Sequence, residues 1–332
     1  MKFYEIIIQP TSGFGTALKG DTIFGHFCWQ AGYDSELLNG GIEKQINLYF
    51  EKPFAVFSSA MPVIEKDSNH YVFRRPHLPL SMLFKGGKDK KERLKITKEN
   101  KKRIWMINPK GLYLNISSVN FIDDEELCHE LSGSFTEVSE EFMAVLSQPH
   151  NTINRLTGTT GTGMFAPYTR ENYYFPIGSK LVLFVLIDTD ATDIERIVKG
   201  LKRMGVWGFG RDASIGMGRF AVCSYEELKF PDDENASGCY TLAPSVPDSD
   251  LFKKTYYNPF VRFGKHGDRL ANGKNPFKNP IIMADEAAVF IPKDQSFFKK
   301  QYIGKALTHV SKTMPETVVQ GYTPYLPIIL EQ

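Results

Sequence analysis

The chain is 332 residues long and carries 40 Lys+Arg against 38 Asp+Glu, a formal net charge of +2, with 42% hydrophobic and 13% aromatic residues. That length accommodates two domains and that apolar content supplies their cores, which excludes a disordered polymer. The near-neutral balance excludes a globally basic surface, so any nucleic-acid contact must be a local patch.

In chain order, residues 2–9 (Lys-Phe-Tyr-Glu-Ile-Ile-Ile-Gln) predict a buried first strand rich in β-branched residues, ended by Pro10. A glycine-containing loop follows at 11–20, then Asp21 as an N-cap and a helix with Phe24, Phe27, Cys28 and Ala31 on one face. Short strands are expected at 54–57, 71–73 and 112–121. Arg74 and Arg75, before Pro76, read as solvated side chains with an outside claim on RNA. Residues 85–103 hold Lys85, Lys88, Lys90, Lys91, Arg93, Lys95, Lys98, Lys101, Lys102 and Arg103. This run is either a solvated face or a phosphate contact. Residues 123–146 are acidic and helical in part. From 148 the chain reads as a protruding β-hairpin, with a Gly- and Thr-rich tip and a second arm near 170–176. Residues 180–188 form an apolar strand central to its sheet. A helix is predicted over 192–204 from the spacing of Ile194, Ile197, Val198, Leu201 and Met204, with Gly205 as its left-handed cap. Strands are expected at 219–225, 251–263 and 281–290, and 322–330 closes the second sheet. The order of elements is that of two α+β units with antiparallel sheets, divided at 1–147 and 148–332.

Between that helix and the next strand lies the most distinctive stretch. Gly208, Gly210, Gly216 and Gly218 form two Gly-x-Gly pairs around five residues, with arginines at Arg211 and Arg219. It is neither a dinucleotide fingerprint nor a P-loop, and the helix precedes the glycines instead of receiving an anion at its N-terminus. One reading is a concave run of bare amides that cradles a polyanion. The other is a flexible connection with glycines at turn positions.

The four cysteines, Cys28, Cys128, Cys223 and Cys239, show no C-x-x-C spacing, which argues against a zinc knuckle or a disulfide framework. No apolar run reaches the roughly 18 residues of a membrane span, and the first residues are strand-like, not a signal peptide. The expectation is a cytoplasmic protein with no membrane partner, no cofactor and no metal.

Three motifs together resemble a known family. They are the 208–219 glycine loop after a helix, the opening Ser12-Gly13-Phe14-Gly15 with Leu18-Lys19-Gly20-Asp21-Thr22-Ile23-Phe24-Gly25, and His150-Asn151-Thr152-Ile153-Asn154-Arg155-Leu156-Thr157-Gly158. They are similar to the RAMP proteins of CRISPR effector complexes, nearest to the Cas-five-like subunit of type III-A (Csm) complexes. The resemblance implies two ferredoxin-like (RRM-type) modules, a glycine-rich loop and a thumb-like hairpin. It implies a non-catalytic subunit that caps the 5′ repeat-derived handle of the guide RNA, docks the large polymerase/cyclase-like subunit and adjoins a backbone RAMP subunit. Under it, amides around Gly208, Gly210, Gly216 and Gly218 meet phosphates, with Arg211 and Arg219 as charge-assisted donors. Arg219 paired to Asp212 or a nearby Glu is the bland alternative. Ser214, Asn154, Arg155 and Lys19 complete the RNA-binding set, each with a structural alternative of equal weight. Rival readings are a metal-independent endoribonuclease that uses His26 on repeat RNA, and a backbone subunit that cuts target RNA through Asp21. His26 reads more simply as a structural histidine and Asp21 as a helix cap.

Overall fold

A computed structural model describes all residues except 66–68, 85–86, 88, 109–110, 135–138 and 331–332. The β-branched start forms β1 (Lys2–Pro10), buried over most of its length. It is followed by α1 (Gly20–Tyr33), α2 (Gly41–Leu48), β2 (Ala55–Phe57), β3 (Met61–Glu65) and β4 (Asn69–Arg74). Next come α3 (Leu80–Leu83), α4 (Lys90–Lys102), β5 (Trp105–Ile107), β6 (Leu114–Asn115), β7 (Asn120–Ile122) and α5 (Asp124–Leu131). The long strand expected at 112–121 is thus two short ones. Asp123 caps α5 in a capping box with Glu126.

The hairpin is β8 (Ala144–His150) and β9 (Tyr168–Tyr174), in register from Ala144 opposite Tyr174 to His150 opposite Tyr168. It is followed by β10 (Leu181–Ile187), α6 (Ile194–Trp207) and β11 (Phe220–Leu228). The remaining strands are β12 (Gly238–Thr241), β13 (Phe252–Tyr256), β14 (Pro259–Arg262), β15 (Ile281–Ala284), β16 (Val289–Pro292), β17 (Tyr302–Gly304) and β18 (Tyr322–Ile329).

The main sheet runs β11-β1-β10-β3-β4-β5-β7, with β2 also on β10, and its pairings are antiparallel. All seven residues of β10 are buried, as a central strand requires. Within this sheet β1, α1, β3, β10, α6 and β11 follow a β-α-β-β-α-β path with spatial order β11-β1-β10-β3. The division expected at 147/148 is therefore corrected. Strands from both sides of that point pair with β1, because β1 buries both of its edges only between β10 and β11. The other large sheet, β13-β16-β12-β18-β17 with β6 parallel to β18, follows α6 in sequence apart from β6. Among the described residues no α-helix lies beyond α6, so this sheet lacks the helices that a second ferredoxin-like module needs.

The two sheets share one apolar core, which includes Phe57, Phe73, Tyr240 and Leu326, and polar groups tie the parts of the chain around it. Buried Gln320 donates to the Phe57 carbonyl (2.8 Å) and accepts from the Phe57 amide (3.0 Å), which satisfies both groups of a β2 residue. The Asp21 carboxylate is held by both Nε and Nη2 of Arg262, at 2.7 and 2.8 Å. Asp21 is inside the first turn of α1, which begins at Gly20 with Lys19 at the cap, so its expected capping role becomes an ion pair between the two halves.

Candidate functional site

Helix α6 starts with the Asp193 side chain accepting from the Arg196 amide (2.9 Å) and buries the five apolar residues whose spacing defines it. It runs past Gly205 to Trp207, so Gly205 is not its cap. Gly205 is required for packing instead, since a Cβ there would lie 2.0 Å from the Phe220 carbonyl oxygen. The helix ends at Gly208, at φ 101°. The chain then turns back, with the Phe209 amide on the Gly218 carbonyl (2.9 Å).

The amides of this loop are mostly occupied. Gly208 donates to the Met204 carbonyl (2.8 Å), Gly216 to Ala213 (3.1 Å) and Gly218 to Gly13 (2.7 Å). Gly210 donates to His26 Nε2 (3.1 Å), Arg211 to Thr16 Oγ1 (3.0 Å) and Arg219 to Ser12 Oγ (2.8 Å). The expectation of bare amides at Gly208, Gly210, Gly216 and Gly218 is corrected accordingly. β1 and β11 are neighbours, so the loops at their ends meet and satisfy one another. Among the described residues, the amides of Asp212, Ala213 and Ser214 alone in the loop have no acceptor.

Two of the three motifs, the opening loop and the glycine loop, converge on the base of β9, whereas residues 150–158 lie at the hairpin tip. Phe14 is buried against Phe209 and Phe175, and its amide and carbonyl both bond Tyr173 of β9 at 2.8 Å. Arg211 reaches the Glu171 carbonyl (2.5 Å), Asn172 Oδ1 (3.1 Å) and the Asp212 carboxylate (3.1 Å). Asp212, at φ 64°, also accepts from Arg170 (2.5 Å). Arg211 thus ties the loop to the hairpin base. Arg219 makes no ion pair among the described residues, which corrects the alternative that paired it to Asp212, and both it and Ser214 are exposed.

At the hairpin tip, Asn154 Oδ1 accepts from the Leu156 amide (2.9 Å) and the Asn154 backbone bridges Thr159, so this side chain builds the turn. Arg155 is exposed and unpaired among the described residues. Leu156 and Met164 are 96% and 81% exposed, which makes the tip a projecting apolar surface.

Lys19 is engaged within the protein. Its ammonium lies 2.5 Å from Asp285 and 2.6 Å from Glu286, so two carboxylates already neutralise it. Burial works against its charge, but these carboxylates outweigh burial and raise its pKa. His26 packs 4.7 Å from the Phe209 ring, and its Nε2 lone pair is used by Gly210. Burial, helped by Lys278, lowers its pKa to about 4, so the ring is neutral at pH 7.

A cavity that sequence reading missed adjoins this face. Its volume is about 500 Å³ and its lining includes Phe14, Arg74, Trp105, Tyr173, Phe175 and Glu286. Arg74 is not a solvated side chain. It lies 3.8 Å over the Trp105 ring, and burial lowers its pKa against the pull of nearby carboxylates. Arg75 donates to the carbonyls of Asn100 (2.6 Å) and Arg103 (2.8 Å) and so closes the end of α4. The available signal was cross-strand: Arg74 faces Trp105 across the β4–β5 pair. The described part of the basic stretch is helix α4, exposed except near Ile96 and Asn100, whereas Lys85 and Lys88 lie outside the described residues. Within α4, Lys95 lies 4.0 Å from Glu99.

All four cysteines are free thiols. Among the described residues no cluster of His, Cys, Asp or Glu suits a metal, and no helix is long and apolar enough to cross a membrane.

No family model matches the chain, and no curated protein matches it. Solved structures do. A chain of the Csm1-Csm4 cassette in complex with pppApA is similar at 16% identity and TM-score 0.57, over 100% of both chains. A chain of the Csm3-Csm4 subcomplex of the type III-A CRISPR-Cas interference complex gives 16% and 0.57, over 98% of this chain and 99% of that one. The same cassette in complex with cA4 gives 16% and 0.55 over both full chains. The chain therefore shares its α+β fold of mainly antiparallel sheets, from end to end, with those chains of type III-A CRISPR assemblies.

Proposed function

We propose that this chain is a non-catalytic RNA-binding subunit of a type III-A CRISPR effector ribonucleoprotein. It caps the 5′ repeat-derived handle of the guide RNA, docks the large polymerase/cyclase-like subunit and adjoins a backbone RAMP subunit. The observation that carries this reading is convergence. The opening loop, the hairpin base and the glycine loop, far apart in sequence, are bonded into one face through Phe14, Tyr173, Arg211 and Gly218. The fold around that face is shared with chains solved in Csm1-Csm4 and Csm3-Csm4 assemblies.

The face offers RNA the exposed guanidinium of Arg219, the amides of Asp212 to Ser214 and the Ser214 hydroxyl, and the hairpin tip adds the exposed guanidinium of Arg155. Arg170 and Arg211 share a single carboxylate, Asp212, which leaves the loop base cationic. Such local positive charge suits a phosphate backbone on a chain with little net charge. His26 and Asp21 support a non-catalytic role, since a loop amide occupies the one and a bidentate arginine the other.

The test is co-purification with guide RNA. The protein, expressed with its CRISPR array and partner subunits, is isolated and the bound RNA sequenced. RNAs sharing one repeat-derived 5′ end are the expected result; random cellular RNA, or none, would overturn the reading. Repeat RNA incubated with the purified chain is expected to be protected and uncut. Cleavage lost in His26→Ala would instead establish an endoribonuclease.

A further inference from the structure

The Arg74 cavity holds a guanidinium that makes no hydrogen bond among the described residues, although burial opposes its charge. One face of the ion lies on the Trp105 indole, 3.8 Å away, which leaves its N–H edge for an occupant of the cavity. The indole is itself fixed, since its Nε1 donates to Asp124. Arg75 is committed to backbone carbonyls, and Lys19 to two carboxylates. Arg74 is therefore the cation of this cavity with donors to spare.

The other walls decide what kind of group fits. Asp285 and Glu286 line the same space with Lys19 held between them, so a phosphate drawn to Arg74 would lie near two carboxylates that share one ammonium, whereas a neutral ring meets no such repulsion. Phe14, Tyr173 and Phe175 supply aromatic surface, and about 500 Å³ holds one nucleoside. A guanidinium fork matches two adjacent acceptors on a planar edge, such as O6 and N7 of guanine, and a purine offers the aromatic wall a larger ring than cytosine with its N3 and O2. Phe14, Tyr173 and Phe175 also belong to the converged face, which places the cavity beside the path assigned to RNA.

We propose that this cavity takes one unstacked guanine base of the bound RNA strand, its O6 and N7 accepting from Arg74 and its ring lying against the aromatic wall. The inference rests on the RNA-binding reading above and adds a base-specific subsite to it.

The test uses the purified full-length protein and tagged eight-nucleotide uridine RNAs that carry one guanosine or one 7-deazaguanosine. The deaza base replaces N7 by C–H and removes one acceptor. The native protein is expected to bind the guanosine RNA about tenfold more tightly than its deaza counterpart. Arg74→Lys keeps the charge but not the fork, and is expected to bind the two equally. Equal binding by the native protein, or discrimination that survives in Arg74→Lys, overturns the proposal. A second readout is Trp105 fluorescence in a Trp29→Phe, Trp207→Phe background, titrated with free guanosine and with inorganic phosphate. Quenching by guanosine alone supports the base site, even if no RNA binds and the handle reading fails. RNA binding without discrimination and without quenching removes the guanine site and leaves the handle reading in place. Quenching by phosphate alone shows an anion site and overturns the proposal.

Discussion

His26 is a half-buried titratable group under the glycine loop, and its behaviour with pH can be worked out. Its Nε2 must be unprotonated to accept the Gly210 amide, and burial, then Lys278, lowers its pKa from 6.5 to about 4. The unfolded chain therefore binds a proton between these values that the folded chain does not. A group with a depressed folded pKa of this cationic type contributes fully above pH 6.5 and loses that contribution as pH falls from 6.5 to about 4. At about 1.4 kcal/mol per pH unit, the loss across the window is about 3 kcal/mol. Urea unfolding of the native protein and of His26→Gln, at steps from pH 7.5 to 4, isolates this part, because all other groups are shared. The glutamine amide oxygen can still accept from Gly210 but cannot titrate. The native protein is expected to lose about 3 kcal/mol more than the variant between about pH 6.5 and 4. Parallel stability curves would refute the argument and place the imidazole in contact with water.

Gln320→Leu leaves the Phe57 amide and carbonyl unpaired in the interior, and is expected to destabilise by about 2–4 kcal/mol in the same unfolding assay. Asp21→Ala strands the Arg262 guanidinium, and a loss of about 3 kcal/mol is expected; the double change with Arg262→Met should restore much of it. Gly218→Ala would put a Cβ 2.0 Å from the Phe209 oxygen at φ 75°, so loss of at least about 2 kcal/mol and faster hydrogen exchange at Phe209 are expected. Arg219→Ala is expected to leave thermal unfolding unchanged and to lower the salt slope of RNA binding by about one. Arg211→Ala, by contrast, should loosen the loop by about 1 kcal/mol, because its guanidinium is held by the hairpin.

The contrast between these two arginines shows how far the sequence could be read. Helix α6 was legible because its periodicity is local: five apolar residues at helical spacing have to lie on one face. The hairpin was legible because Thr, Gly and Tyr report turns and extended arms without reference to the rest of the chain. Gly205 misled, since a glycine near the end of an apolar run signals a cap, whereas here its hydrogen makes room for the Phe220 carbonyl. Nothing within four residues of Gly205 reports that contact. Partnership across distance was hidden in the same way. Lys19 meets Asp285 and Glu286, 266 and 267 residues away, and Arg74 rests on Trp105 from the adjacent strand. A cation's role depends on which carboxylate the fold brings to it, and only the paired strands decide that. The glycines of 208–218 have a structural role that their spacing alone did not report. They let two loops approach until each satisfies the other's backbone, and the polar groups left over, at 212–214 and on Arg219, are what the face can offer a ligand.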